Sequence, residues 1–281
     1  MRRHLPTLLI ALALISAAGA AAAMQEQRFG PYDVRISEPS DGIWPGRLEI
    51  LLNGRVVYRG SDRTYGFADS APIGADLTGS REPMLAVSAY SNGGDCCFEM
   101  LLFGLGPQLR LAAPLPGGKS EGKFERTGGL WYYIARDWTF AGWKVDAASS
   151  SACRVVLAYQ KSRWRLAAER MRRGALPGTL LNQLAAKIRG SERWRIKPSG
   201  EIEAYEPQLP TLMLDLVYTG NPAQAETLLD AAWPPKAEGK ARFLRDFRRE
   251  LAKSPYARDI RRLAKVSPPG ESDSAETCER D

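Results

Sequence analysis

The strongest pattern in the chain is a pair of apolar runs, residues 83–90 and 96–105, flanking a polar loop, Ser91-Asn92-Gly93-Gly94-Asp95. In the first run Leu85, Val87 and Ala89 alternate with Met84, Ala86 and Ser88. Both sets are small or apolar, so both faces of a strand can be buried there, as in a central strand. Asn92, Gly93 and Gly94 accept positive φ and predict a hairpin. A second hairpin is expected over residues 47–59, with Asn53-Gly54 in a type I′ turn between Leu48–Leu52 and Arg55–Arg59. Shorter β-like stretches lie at 29–37, 108–115, 130–140 and 153–159.

From Trp164 the apolar spacing lengthens. Leu180, Leu184 and Ile188 predict a helix from Thr179 to Arg189. Residues 191–210 read as irregular. Thr211 is expected to cap a helix over 212–219. Gly220-Asn221-Pro222 then reads as C′ glycine, N-cap asparagine and N1 proline of a partner helix ending near residue 232. Phe243, Leu244, Phe247 and Leu251 predict an amphipathic helix over 240–252, and a last short helix is expected over 255–266. The fold class is therefore α+β. An antiparallel β-rich domain, propeller-blade-like or sandwich-like, spans 24–160, and a basic α-helical domain spans 161–266.

Charge sharpens that division. Residues 24–159 carry a net −1, residues 160–267 a net +10, and residues 268–281 a net −4. The change of charge and the change of period both fall near residue 160. The Pro-, Ser- and acid-rich segment 267–281 reads as a disordered tail. The basic excess reads first as the solvated face of Arg-rich helices, and otherwise as a surface for an anionic partner.

The N-terminus carries an address. Arg2 and Arg3 precede an apolar stretch, Leu8–Ile15, and Ala21-Ala22-Ala23 offers small residues before Met24. Residues 1–23 thus read as a secretory signal peptide, and the destination as the periplasm or the exterior. Cleavage leaves no membrane span, and nucleic acid is not an expected partner in that compartment. It also removes His4, the only histidine. Ser-His-Asp and Cys-His catalysis, His-ligated zinc and imidazole acid–base work are thereby excluded from the mature chain.

At residues 76–87 the pattern D-x-T-G-x-x-x-P-x-L-x-V resembles an FG-GAP-type repeat, the blade unit of integrin-like β-propellers. The resemblance covers one blade and implies a β-rich unit. Such repeats bind calcium at the loop matched here by Asp76, Thr78 and Gly79. Ser80, Arg81 and Glu82 stand where further acidic or glycine residues belong, and no metal site or cofactor is assigned. A complete propeller is excluded by length. The Gly93–Cys97 loop is similar to that of exported bacterial proteins, and residues 212–233 to a single tetratricopeptide-type hairpin.

Other candidates weigh less. Residues 117–124 contain G-x-x-x-x-G-K but lack the Ser or Thr and the helix that a phosphate loop needs. Ser120 and Lys123 have Ser–Lys hydrolase spacing, with Gly122 set against a helix. Trp131, Tyr132, Tyr133, Trp138 and Phe140 read as core aromatics before a sugar platform. Asp69, Asp76, Asp95 and Glu99 show no metal or acid-pair spacing. No catalytic residue is nominated.

The cysteines carry the most chemistry. Four of them in an exported chain predict disulfides. Strand alternation turns Cys96 towards Phe98 and Met100, and Cys153 towards Val155 and Leu157, so a Cys96–Cys153 bridge is expected. Cys97 is then free or joined to Cys278; a strained Cys96–Cys97 bridge is the redox alternative. The leading functional reading is a non-catalytic periplasmic module that binds a protein or an anionic envelope polymer. The alternatives are a thiol–disulfide protein using Cys96 and Cys97, and a hydrolase of cell-wall polymer.

Overall fold

A computed structural model describes residues 24–38, 45–93, 96–146, 150–266 and 278–280, with the side chains of 92, 93, 96, 279 and 280 excepted. The expected signal peptide and most of the acidic tail lie outside the described residues. Among those described, four antiparallel sheets and six helices form an α+β fold.

The first sheet is a meander of β1 (Met24–Phe29), β2 (Tyr32–Ser37), β3 (Arg47–Leu52) and β4 (Arg55–Gly60). The β3–β4 turn is the expected one: Asn53 and Gly54 have φ of 50° and 76°. Tyr32, Val34, Ile36, Leu48 and Ile50 are buried on one face. The other face is charged, with ion pairs such as Arg28–Asp33 (2.6 Å) and Arg59–Glu49 (2.8 Å).

The second sheet orders β5 (Thr64–Phe67), β6 (Met84–Gly93), β7 (Cys96–Leu105) and β8 (Leu109–Leu111), with β9 (Leu115–Gly118) also on β7. Both of its faces are buried, as the alternation predicts. Leu85, Val87, Ala89, Leu101 and Phe103 pack with the first sheet, while Met84, Ala86, Met100 and Leu102 join a second core. Each large side chain so buried stabilises by about 1.5–3 kcal/mol. At Gly117 a Cβ would come within 2.7 Å of the Ser120 carbonyl oxygen in the following turn and 3.0 Å of Phe98 Cβ on β7, so glycine lets β9 pack against both.

The third sheet orders β10 (Lys123–Thr127), β11 (Leu130–Asp137), β12 (Ser151–Gln160) and β13 (Arg163–Leu166). A further strand, β16 (Cys278–Arg280), pairs with the start of β12. Strand β13 lies where a helical period was expected. Its partner β12 runs on through Gln160, and the turn between them, Lys161-Ser162, carries no Asn or Gly to announce it.

Helices α1 (Ala168–Met171), α2 (Gly178–Arg189), α3 (Gln208–Tyr218), α4 (Pro222–Ala232), α5 (Lys240–Leu251) and α6 (Ala257–Leu263) follow. A small hairpin, β14 (Arg195–Ile196) and β15 (Ile202–Ala204), occupies the stretch expected to be irregular. Helix α3 starts four residues before the predicted start, because Pro210 fits its first turn, where no amide partner is required. Thr211 is no cap; its hydroxyl donates to the Pro207 carbonyl at 2.8 Å. Gly220 (φ 80°), Asn221 and Pro222 do fill the expected C′, N-cap and N1 positions. The Asn221 side chain caps nothing, however. It accepts from Arg172 Nη1 at 2.9 Å and donates to the Arg173 carbonyl at 3.3 Å, tying α1 to the α3–α4 turn.

The six helices all follow β13, interrupted by the β14–β15 hairpin and followed by β16. One core runs through the strand and helical parts: Val155 and Leu157 share a cluster with Leu209, Met213, Leu228 and Phe243. An aromatic group joins the two parts, with Trp143 5.1 Å from Phe243 and Phe140 5.1 Å from Phe247.

The expected Cys96–Cys153 bridge is corrected by the structure. Cys153 is bonded to Cys278, 125 residues downstream, with a Cα–Cα distance of 4.0 Å. Alternation on β12 does turn Cys153 into the core, but β16 sets Cys278 directly opposite it. Cys278 is therefore not available to Cys97. Cys97 is itself disulfide-bonded, and no described cysteine is free. No helix among the described residues is long and apolar enough to cross a membrane.

Candidate functional site

A cleft runs from the hairpin-turn end of the third sheet round to its edge strand β13, bordered by loops of the second sheet and the start of α6. Three hollows of about 380, 560 and 240 Å³ follow one another and share lining residues. Thr78 and Tyr159 border the first and second, and Arg163, Trp164, Pro255 and Asp259 border the second and third.

The β12–β13 turn shapes its middle. Lys161 and Ser162 have φ of 50° and 62°, a conformation that costs non-glycine residues about 1–2 kcal/mol each. The turn sets Tyr159 opposite Trp164, with ring centroids 5.6 Å apart. Phe124 supports Trp164 from a centroid distance of 5.9 Å. Trp131, on β11, lines the first hollow, with the Arg126 guanidinium 5.9 Å from its ring. From the aromatic run 131–140, Trp131 thus reaches the cleft, while Tyr132, Tyr133 and Phe140 are core.

The loop over 76–81 forms one wall. Asp76 Oδ1 accepts the Ser80 amide at 3.1 Å, and Oδ2 accepts the Arg81 amide at 2.8 Å. Gly79 and Arg81 adopt φ of 71° and 64° to permit this. The carboxylate matched to the calcium loop therefore holds its own backbone. Glu169 lines the same hollow, but the commitment of Asp76 to loop amides leaves no obvious acid–base pair. Of the other acidic candidates, Glu99 pairs with Arg63, Asp69 is exposed, and Asp95 lies outside the described residues. Among the described residues no group of three or more His, Cys, Asp or Glu is placed to hold a metal ion.

The cleft is basic. Arg126, Arg163, Arg165 and Arg258 line it, and among the described residues none forms an ion pair with a carboxylate. Asp259 is paired with Arg262 at 3.2 Å and accepts the Leu166 amide at 3.4 Å. Arg110 is paired with Glu82 at 2.5 Å. The buried Nε of Arg165 and the buried hydroxyl of Tyr256 have no hydrogen-bond partner. Burial, and then the charge of Asp137, hold the Tyr256 phenol well above its ordinary pKa, so it is a neutral donor.

Behind the cleft lies a buried polar group. Asp137 accepts from Tyr218 Oη at 2.6 Å, from Ser254 Oγ at 2.5 Å and from the Thr139 amide at 2.9 Å. Asp137, Tyr218 and Ser254 are all at least nine-tenths buried, so this trio joins β11, α3 and the segment before α6 inside the protein. Residues 117–124 pass from β9 through a turn to β10, with no helix at which phosphate could sit. Lys123 pairs with Glu125 at 2.9 Å, away from any Ser–Lys geometry on a helix.

Sequence reasoning missed Arg163, Trp164 and Arg165 as cleft residues. Their alternation in a strand was the available signal, and it was short enough to merge with the helix that follows. Comparison with family models, with curated proteins and with solved structures gave no match.

Proposed function

We propose that this protein is a non-catalytic, exported binding module whose cleft takes an anionic polymer of the cell envelope. One observation carries the reading: four arginines without carboxylate partners line a cleft walled by Trp131, Tyr159 and Trp164. Aromatic faces stack on sugar rings, and guanidinium forks grip carboxylate or phosphate in pairs of hydrogen bonds. The strained Lys161-Ser162 turn is the kind of backbone feature that gathers at ligand clamps. Support for export comes from the leader pattern of residues 1–23 and from the bonded cysteines, which fit an oxidising compartment. Three successive antiparallel meanders, the middle one covered on both faces, favour a stack of blade-like units over a two-layer sandwich.

Calorimetric titration with alginate, a polyuronate, against neutral dextran tests the reading. Alginate should bind, dextran should not, and Arg163→Glu with Arg258→Glu should weaken alginate by about tenfold or more. Equal affinity for the two polymers, or an unchanged double variant, would remove it.

A second reading is thiol–disulfide exchange at Cys96 and Cys97. The observation in its favour is that Cys97, half-buried at the start of β7, is in a disulfide while Cys153 and Cys278 are joined to each other. Its amide is held by Ser91 Oγ at 2.9 Å. Titration with graded glutathione buffers should then show one easily reduced bond that Cys97→Ala abolishes. A single resistant transition would leave only structural disulfides.

A further inference from the structure

Helices α3, α4, α5 and α6 do not close fully on one another. Between them lies a groove of about 200 Å³, walled by Met213, Val217, Leu244, Phe247, Leu251 and Ile260. Three charged residues border it: Glu226, Arg248 and Arg261. Arg248 Nη2 is held by Glu226 Oε1 at 2.5 Å. Among the described residues no carboxylate pairs with Arg261.

The geometry points to a binding site for a single alkyl chain ending in a carboxylate, a ligand of the fatty-acid type. The groove is smaller than the ~300–1,000 Å³ of ordinary small-molecule pockets, which suits a small or slender ligand such as a single chain. Its lining is apolar apart from the border, so the buried part of the ligand carries no polar group. The charge at the border selects the head. Arg261 offers one unpaired guanidinium, the fork that a carboxylate matches with two hydrogen bonds. Glu226 neutralises Arg248 and repels a second negative charge, which disfavours a doubly charged phosphate. The chain that follows α6 supplies no occupant: residues 267–277 read Ser-Pro-Pro-Gly-Glu-Ser-Asp-Ser-Ala-Glu-Thr, without one large apolar side chain. The site shares no residue with the cleft and does not depend on the function proposed for it.

The test is calorimetric titration of the whole mature chain with laurate, and in parallel with dodecyltrimethylammonium, which has the same chain length and the opposite charge. Laurate should bind and the cation should not. Arg261→Gln, at an exposed position, should leave the melting curve unchanged and weaken laurate by about tenfold. Leu244→Gln, half-exposed on the wall, should weaken it further. Absence of laurate binding, equal binding of the two amphiphiles, or an Arg261→Gln variant with unchanged affinity would overturn the assignment. So would a dimer that Leu244→Gln dissociates, since the groove would then belong to a second copy.

Discussion

Tyr218 donates its phenolic hydrogen to Oδ2 of Asp137 across 2.6 Å, joining α3 to the end of β11 over 81 residues of sequence. Ser254 Oγ meets the same oxygen from the segment before α6, at 2.5 Å. Burial first, and then the neighbouring carboxylate, hold the Tyr218 phenol far above its ordinary pKa, so the hydrogen stays on the tyrosine. Tyr218→Phe deletes one bond to a buried acceptor and should cost about 1.5–3 kcal/mol. Asp137→Ala strands several donors at once and should cost ~3 kcal/mol or more. Chemical denaturation of both single variants and the double variant reads the coupling. Additive losses would mean that the contact does not act as a unit.

Removal of Cys278 should destabilise severely. The bridge to Cys153 spans 125 residues, and in the chain-entropy model a loop of that length contributes roughly 5 kcal/mol. That is a large share of a typical ~5–15 kcal/mol. Cys278→Ala and Cys153→Ala should therefore lower Tm by similar amounts. A Cys278→Ala protein that melts like the parent would show that the bridge contributes little.

Acid should loosen the junction at Lys144. Its ammonium donates to Asp246 Oδ2 at 3.2 Å and lies 5.8 Å from the ring centroids of both Trp143 and Tyr205. That hydrogen bond, joined by the charges of Lys144, Arg249 and Arg242, holds the Asp246 carboxyl below its ordinary pKa. A depressed carboxyl contributes stability above its unfolded pKa, near ~3.9, and loses it as pH falls through the lower folded value. Asp246→Asn should thus be less stable at neutral pH but fall less steeply below about pH 4. Parallel pH–stability curves for the two proteins would contradict this.

Glycine substitutions separate close packing from chain freedom. Gly117→Ala should cost about 1–3 kcal/mol, since its Cβ meets the Ser120 carbonyl oxygen at 2.7 Å and Phe98 Cβ at 3.0 Å. Gly66→Ala has no neighbour within 4 Å and should stay within ~0.5 kcal/mol. Thermal melts of the pair suffice; equal effects would place the Gly117 penalty elsewhere.

Local chemistry made parts of this fold legible. Asn53-Gly54 dictates its turn, the alternation in 84–89 marks a strand buried on both faces, and Gly220-Asn221-Pro222 punctuates two helices. Pairing was less legible. Alternation turns Cys153 inward, but it cannot say which strand lies beside it, and Cys-Glu-Arg at 278–280 has no strand signature within an acidic, Pro-rich stretch. The cleft was hidden for a related reason. Trp131 was visible as an aromatic and Tyr159 lies on the strand beside it, but Arg163 and Trp164 join the cleft only through a turn, Lys161-Ser162, whose residues ordinarily avoid the conformation they adopt.

The Cys153–Cys278 link also imposes an order on biosynthesis. A chain made and delivered from its N-terminus presents Cys96 and Cys97 first and Cys153 next, while the rightful partner of Cys153 is still 125 residues away. During that interval three thiols are accessible and any pair among them can be oxidised. Only a pair that draws in Cys153 before Cys278 arrives blocks the native pattern and must be reshuffled, which makes yield sensitive to the isomerase capacity of the host.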